Sequence, residues 1–298
     1  MTKGAVFLRL VLTFILLLAA SGLAAQQPGG AWDAVARSLG KPVPAAGETY
    51  RATFPRSDLH VRVGTVAVEP ALALTSWMGF AGSPDSCDVM GDLVLGEREV
   101  PLVIAALLDR GIDVTAVHHH LLGETPRVFY VHFHGRGAAA ELAAKLHAVL
   151  ALTATPLGTA PTATPAASTR ASLDTAALFA ALGVHGRLAG DVAQVSVPTS
   201  GSQAALAGRP IPAALGMNTA INLEPLAPGR AAAAGDFVLT GDHLRGVLRA
   251  LTTASIRVTA VHNHMVGEEP RVFFVHFWGE GDPLDLAREL RAAIDSAR

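Results

Sequence analysis

One segment of this chain is written twice. Val114-Thr115-Ala116-Val117-His118-His119-His120, then Gly123-Glu124 and Pro126-Arg127-Val128-Phe129-Tyr130-Val131-His132-Phe133, returns as Val258-Thr259-Ala260-Val261-His262-Asn263-His264, Gly267-Glu268 and Pro270-Arg271-Val272-Phe273-Phe274-Val275-His276-Phe277. The offset from Val114 to Val258 is 144 residues and holds without a gap. Upstream, Gly91-Asp92-Leu93-Val94-Leu95 matches Gly235-Asp236-Phe237-Val238-Leu239. Further upstream, Leu39-Gly40 matches Leu182-Gly183 and Phe54-Pro55 matches Val197-Pro198. Any fold must therefore be built from one unit used twice, over about residues 31–152 and 173–298. Two copies make a duplicated domain, not a solenoid. Residues 153–172 between them are rich in Thr, Pro and Ala and read as an extended linker.

Each unit reads as α+β. In the first, Trp32 to Leu39 is a short helix closed by Gly40, Thr49 to Phe54 a strand, and His60 to Val68 a strand bent at Gly64. Leu93 to Leu95 is a short strand, and Val100 to Arg110 a helix ended by Gly111. Asp113 to His119 and Arg127 to His134 are strands around a loop, and Ala138 to Leu150 is an amphipathic helix. This β-α-β-β-α core predicts helices on one face of a mixed or antiparallel sheet, with two such units paired about a pseudo-twofold axis.

Residues i and i+2 of a strand share a face. Val114, Ala116, His118 and His120 then point one way, and Val128, Tyr130, His132 and His134 share a face of the returning strand. A hairpin would gather His118, His120 and His132, with Glu124 in the connection. His262, His264, Glu268 and His276 repeat the set. Three imidazoles and a carboxylate form a candidate site for zinc, manganese or iron(II), and a bound metal that activates water makes hydrolysis the default reaction. His119 becomes Asn263 and His134 becomes Trp278, so these two are the weaker candidates. Two other readings remain open: a structural polar network at the pseudo-twofold interface, and a metal-free site using histidine as acid and base. Pro55-Arg56-Ser57-Asp58 offers Arg56 and Asp58 as a candidate anion or ligand site; the second copy has Pro198-Thr199-Ser200-Gly201 there. His118-x-His120-x-x-x-Glu124 also resembles half of a cupin metal motif, but two helical segments flank it and His132 follows too soon.

The remaining features bound the setting. Lys3 and Arg9 precede an apolar run from Leu10 to Ala20, then small residues and Gln26-Gln27. This order is expected of a secretory signal peptide over residues 1–25, cleaved after Ala24 or Ala25, which places the protein in the periplasm or outside the cell with no transmembrane span left. Cys87 is the single cysteine, so no disulfide holds either unit internally. A net charge of −2 gives no basic footprint for nucleic acid. The expected partner is a small molecule or an envelope component. A non-enzymatic envelope protein with structural histidines is the alternative to a metal-binding or hydrolytic one.

These strings resemble the LppY/LpqO family of bacterial exported domains. The resemblance is carried by Phe54-Pro55-Arg56-Ser57-Asp58, Met90-Gly91-Asp92-Leu93-Val94-Leu95, Val114 to His120, Pro126 to His132, and their second-copy counterparts from Gly235, Val258 and Phe273 onward. It spans nearly all of the chain after the leader, and it implies export and the two-copy architecture. The chain departs from the family's lipoproteins in having no cysteine after the apolar run, and from the usual arginine at Thr199. The resemblance supplies no substrate and no catalytic residue.

Overall fold

The computed structural model describes residues 30–158, 172–199 and 203–297. The leader expected over 1–25 and most of the linker lie outside these residues. The first unit runs α1 (Ala31–Leu39), β1 (Ala45–Ala46), β2 (Thr49–Pro55), β3 (Arg62–Val63), β4 (Val66–Ala67), α2 (Pro70–Ala73), β5 (Thr75–Ser83), β6 (Ser86–Gly96), α3 (Val100–Asp109), β7 (Asp113–His118), β8 (Glu124–Thr125), β9 (Val128–Gly137) and α4 (Ala139–Leu150). The second runs α5 (Thr175–Leu182), β10 (Gly186–Ala189), β11 (Val192–Pro198), β12 (Ala205–Leu206), β13 (Arg209–Pro210), a 3-10 turn (Ala213–Leu215), β14 (Asn218–Ala227), β15 (Arg230–Thr240), α6 (Gly241–Thr253), β16 (Arg257–His262), β17 (Glu268–Glu269), β18 (Val272–Gly281) and α7 (Pro283–Asp295).

Each unit is a six-stranded antiparallel sheet, ordered β1-β2-β5-β6-β9-β7 in the first and β10-β11-β14-β15-β18-β16 in the second. The repeated Leu-Gly pair ends the first helix of each unit, because Gly40 (φ 66°) and Gly183 (φ 68°) adopt the left-handed conformation of a helix C-terminus. The sheets are wider than the sequence suggested. Leu93 to Leu95 is only part of β6, and the apolar stretch around Trp77 is a full strand, β5. His60 to Val68 is not one strand: it folds at Gly64 (φ 57°) into the β3-β4 hairpin, and β8 adds to β3 to make a small second sheet.

Period-two alternation divides each large sheet into two buried faces. Leu93, Leu95, Val131 and Phe133 point to the helices and form one core with Val35 of α1, Val103 and Leu107 of α3, and Leu146 and Val149 of α4. Val94, Val128 and Tyr130 point the opposite way and meet Ala232, Ala234 and Trp278 of the second sheet. A matching cluster joins Ala81 and Met90 of the first sheet to Leu215, Val238, Val272 and Phe274. The molecule is thus four layers deep, α/β/β/α, with the sheets face to face.

The two units exchange equivalent contacts across this layer. Gln194 Nε2 donates to the Ala71 carbonyl (2.9 Å) and Arg51 Nη1 to the Ala214 carbonyl (3.0 Å). Each unit therefore lays its short helical turn on the other unit's sheet.

Candidate metal centre between the two sheets

A bulge aims the histidine strands. The register of β7 on β9 breaks between Val114 and Ala116, and that of β16 on β18 between Val258 and Ala260. The face assignment made from strict alternation changes at this point: Val114 lies opposite Phe133 and packs with the helix-side core, while Ala116 lies opposite His132 on the inter-sheet face. The extra residue, Thr115, turns to the other unit and its Oγ1 donates to the His264 carbonyl (2.6 Å); Thr259 Oγ1 donates to the His120 carbonyl (2.8 Å). The loops that carry His120 and His264 are held from across the interface.

The six repeated histidines meet in a single layer, instead of forming one cluster in each unit. His118 stacks on His262 with ring centroids 3.7 Å apart, His120 on His276 at 3.8 Å, and His132 lies against His264 at 3.9 Å. The last two contacts are exchanged by the pseudo-twofold axis, and the first is its own mate. His118, His132, His264 and His276 are buried, whereas His120 and His262 are partly exposed. Two three-histidine sets bring their ligand atoms within 4.8 Å of one another: His118 with His120 and His276, and His118 with His132 and His262. Both sets draw on both units.

The backbone fixes several tautomers. His132 Nδ1 donates to the Gly91 carbonyl (3.2 Å), His276 Nδ1 to the Gly235 carbonyl (3.2 Å), and His262 Nδ1 to the Asn263 carbonyl (2.7 Å). A carbonyl only accepts, so each Nδ1 carries the proton and each neutral ring turns an Nε2 lone pair inward. This is the outer-shell arrangement that orients metal-ligating histidine. His276 Nε2 then faces His262 Nε2 at 2.8 Å. Burial, reinforced by the neighbouring imidazoles, pushes the His118 and His276 pKa values well below the usual histidine range. Burial also brings His262 down to about 4 and His264 to about 3. The rings are neutral at pH 7, so two lone pairs point at each other with no proton between them. His118 Nδ1, His132 Nε2 and both nitrogens of His264 are buried with no hydrogen-bond partner. A cation among the Nε2 atoms would take up the inward-facing lone pairs, and a group of neutral imidazoles is chemically suited to a divalent transition metal.

The carboxylate nearest to the rings is Asp92. Its Oδ2 lies 3.3 Å from His120 Nε2 and 4.0 Å from His118 Nε2. Asp92 pairs with His132 across β6 and β9, as Asp236 pairs with His276 across β15 and β18. The sequence reading passed over Asp92 and Asp236 as site residues. An acidic residue kept at the same place in two otherwise apolar strands was the signal available. Glu124 and Glu268 are buried, and each accepts from a backbone N–H, Val128 at 3.4 Å and Val272 at 3.2 Å. Neither belongs to the two three-ligand sets.

Arg56 and Asp58 face each other. Arg56 is buried, and its guanidinium donates to Asp58, to Glu99 and to the Val94 carbonyl. This network ties the end of β2 to β6 and the start of α3. In the second unit Thr199 donates to the Met217 carbonyl instead, and Gly201 lies outside the described residues. His134, set aside on the repeat comparison, bonds Asp88 (3.0 Å), which also pairs with Arg136 and, across the interface, Arg209.

A family model described as Domain of Unknown Function (DUF1259) matches the chain twice, over residues 33–152 and 176–296. No curated protein and no solved structure matches it.

Proposed function

We propose, from the premise that this chain belongs in two tandem copies to the family Domain of Unknown Function (DUF1259), that the layer between its sheets is a metal centre shared by both copies. The observation that carries this reading is the pair His262 and His276. Their Nδ1 protons are committed to carbonyls and their Nε2 atoms face each other at 2.8 Å. Zinc, iron(II) and manganese are the candidate ions, with zinc and iron(II) favoured by the imidazole-rich donor set. The ligands would be drawn from two overlapping sets, His118 with His120 and His276, and His118 with His132 and His262. A bound divalent ion supplies Lewis acidity and acidifies a coordinated water, which makes hydrolysis the reaction class to screen. The chain's own part is to turn Nε2 lone pairs inward through the Gly91, Gly235 and Asn263 carbonyls and to keep the rings neutral by burial.

A second reading is favoured by the ring stacking itself. Six imidazoles packed at centroid spacings near 4 Å form a continuous layer, which suits a non-enzymatic envelope protein whose histidines weld the two copies together. We carry forward the N-terminal leader, the LppY/LpqO likeness and a small-molecule or envelope partner as parts of the same proposal. Among the described residues no helix is long and apolar enough to cross a membrane.

Elemental analysis of untagged protein decides between the readings. Near-stoichiometric zinc, iron or manganese that is lost in a folded His118→Ala/His120→Ala variant supports the metal centre. No metal after reconstitution, with the wild type folded, leaves the stacked structural layer.

A further inference from the structure

The duplication sets up a choice between two equivalent ion sites related by the axis and one site that breaks the symmetry. The mate of the set His118, His120, His276 is His262, His264, His132, and the mate of Asp92 is Asp236. The two halves differ in what faces the imidazoles. In the first, Asp92 Oδ2, His118 Nε2 and His120 Nε2 are mutually 3.0–4.0 Å apart. Ligands about 2.1 Å from a common ion stand roughly 3–3.5 Å from one another. Asp92 is buried, and its Oδ1 has no hydrogen-bond partner.

In the second half, Asp236 Oδ1 accepts from the Ala220 N–H at 3.2 Å. Among the described residues, no imidazole nitrogen forms an ion pair with Asp236. His264 is flanked by the Trp77 ring, whose centroid is 6.1 Å away, and Arg51 lies over Trp77 with Cζ 3.8 Å from the ring centroid. The first half has no equivalent: Ala220 and Gln194 stand in place of Trp77 and Arg51. The Arg51 cation, stacked on the ring that flanks His264, opposes a second cation there. Tyr130, whose hydroxyl donates to the Ala73 carbonyl (2.9 Å), stacks on His120 at 3.5 Å and fixes that ring; Phe274 stands in its place in the second unit.

We infer that the centre takes a single divalent transition-metal ion, seated off the pseudo-twofold axis on the first unit's side, with Asp92 as its carboxylate ligand beside His118, His120 and His276. The inference rests on the shared metal centre proposed above. It separates the two copies by role: the first supplies three of the four ligands and, through Trp77 and Arg51, the wall beside His264, and the second supplies His276.

The test is titration of the full, untagged, metal-stripped chain with zinc, read as ions bound per chain and as affinity, for the wild type, Asp92→Asn and Asp236→Asn, with circular dichroism as the folding control. One ion per chain is expected, with affinity at least about tenfold weaker in Asp92→Asn and within about threefold of wild type in Asp236→Asn. If Asp92→Asn does not fold, His120→Gln and His264→Gln make the same comparison, with loss expected only in His120→Gln. Two ions per chain, or equal losses in the mated variants, would overturn the off-axis site and leave the shared centre standing. Binding unchanged in both Asp92→Asn and His120→Gln would also overturn it. No binding to the wild type would overturn the shared centre itself, and the off-axis site with it.

Discussion

At the scale of single residues, burial sets the chemistry. Five of the six clustered histidines have their pKa values lowered, first by loss of hydration and then, for most of them, by one another. The unfolded chain takes up protons near pH 6.5, which the folded one refuses until His262 and His264 titrate near 4 and 3. The metal-free protein therefore holds the full histidine contribution above pH 6.5 and loses it as pH falls from 6.5 through 4. Asp236 acts with the opposite sign. Its folded pKa is raised by burial to about 7 from 3.8, so its contribution declines as pH rises between those values. One carboxyl group opposes five imidazoles, and the histidines dominate. The urea midpoint of metal-stripped protein is expected to be clearly lower at pH 5 than at pH 7.5; an equal or higher midpoint at pH 5 would mean that the rings are not buried neutral.

At the scale of elements, the interface depends on local departures from regular structure. Gly91 and Gly235 are such points. A Cβ at Gly91 would stand 2.2 Å from the Trp77 carbonyl oxygen, and one at Gly235 would stand 2.0 Å from that of Ala220. Only glycine lets β6 and β15 approach so closely while Phe133 and Phe277 cover it from the neighbouring strand, and the same two glycines supply the carbonyls that orient His132 and His276. The bulges at Thr115 and Thr259 perform the other half of the positioning. Thr115→Val and Thr259→Val each remove one cross-interface hydrogen bond and leave a partly buried carbonyl short of a partner. Each is expected to cost about 1 kcal/mol of stability; zinc affinity should fall in Thr259→Val, which releases the loop carrying the ligand His120, and hold in Thr115→Val, whose loop carries His264. Chemical denaturation and zinc titration measure the two effects. Loss of stability with unchanged affinity in Thr259→Val would show that the loop holds His120 without the threonine.

The sequence made parts of this scale legible and hid others. The i, i+2 spacing placed His118 beside Ala116 on one face, since alternation is a local property of a strand. The bulge that turns Val114 to the opposite face left no mark, because Thr115 is as compatible with a regular strand as with an irregular one. Asp92 was hidden for a related reason: its closeness to His132 comes from the pairing of β6 with β9, a register that no spacing within one strand reveals. The helix ends at Gly40 and Gly183 were readable because only glycine adopts the left-handed turn without cost.

At the scale of the whole molecule, the duplication builds the proposed centre. One unit alone would leave its inter-sheet face, with Val94, Val128, Tyr130 and three histidines, in water; two units cover it mutually, and the polar residues on that face become a buried centre. Repetition of the His-x-His strings announced two equal units, but it could not show whether they hold two sites or share one, because that depends on how the sheets dock. The measurement that bears most directly on a shared centre is the metal content of full-length protein carrying one substitution from either side of the interface, His118→Gln or His276→Gln, each checked for folding. A centre built from both copies requires that either substitution alone strip the ion from the whole chain. Retention of half of the bound metal in each variant would contradict it, and would return the histidines to separate sites within each unit.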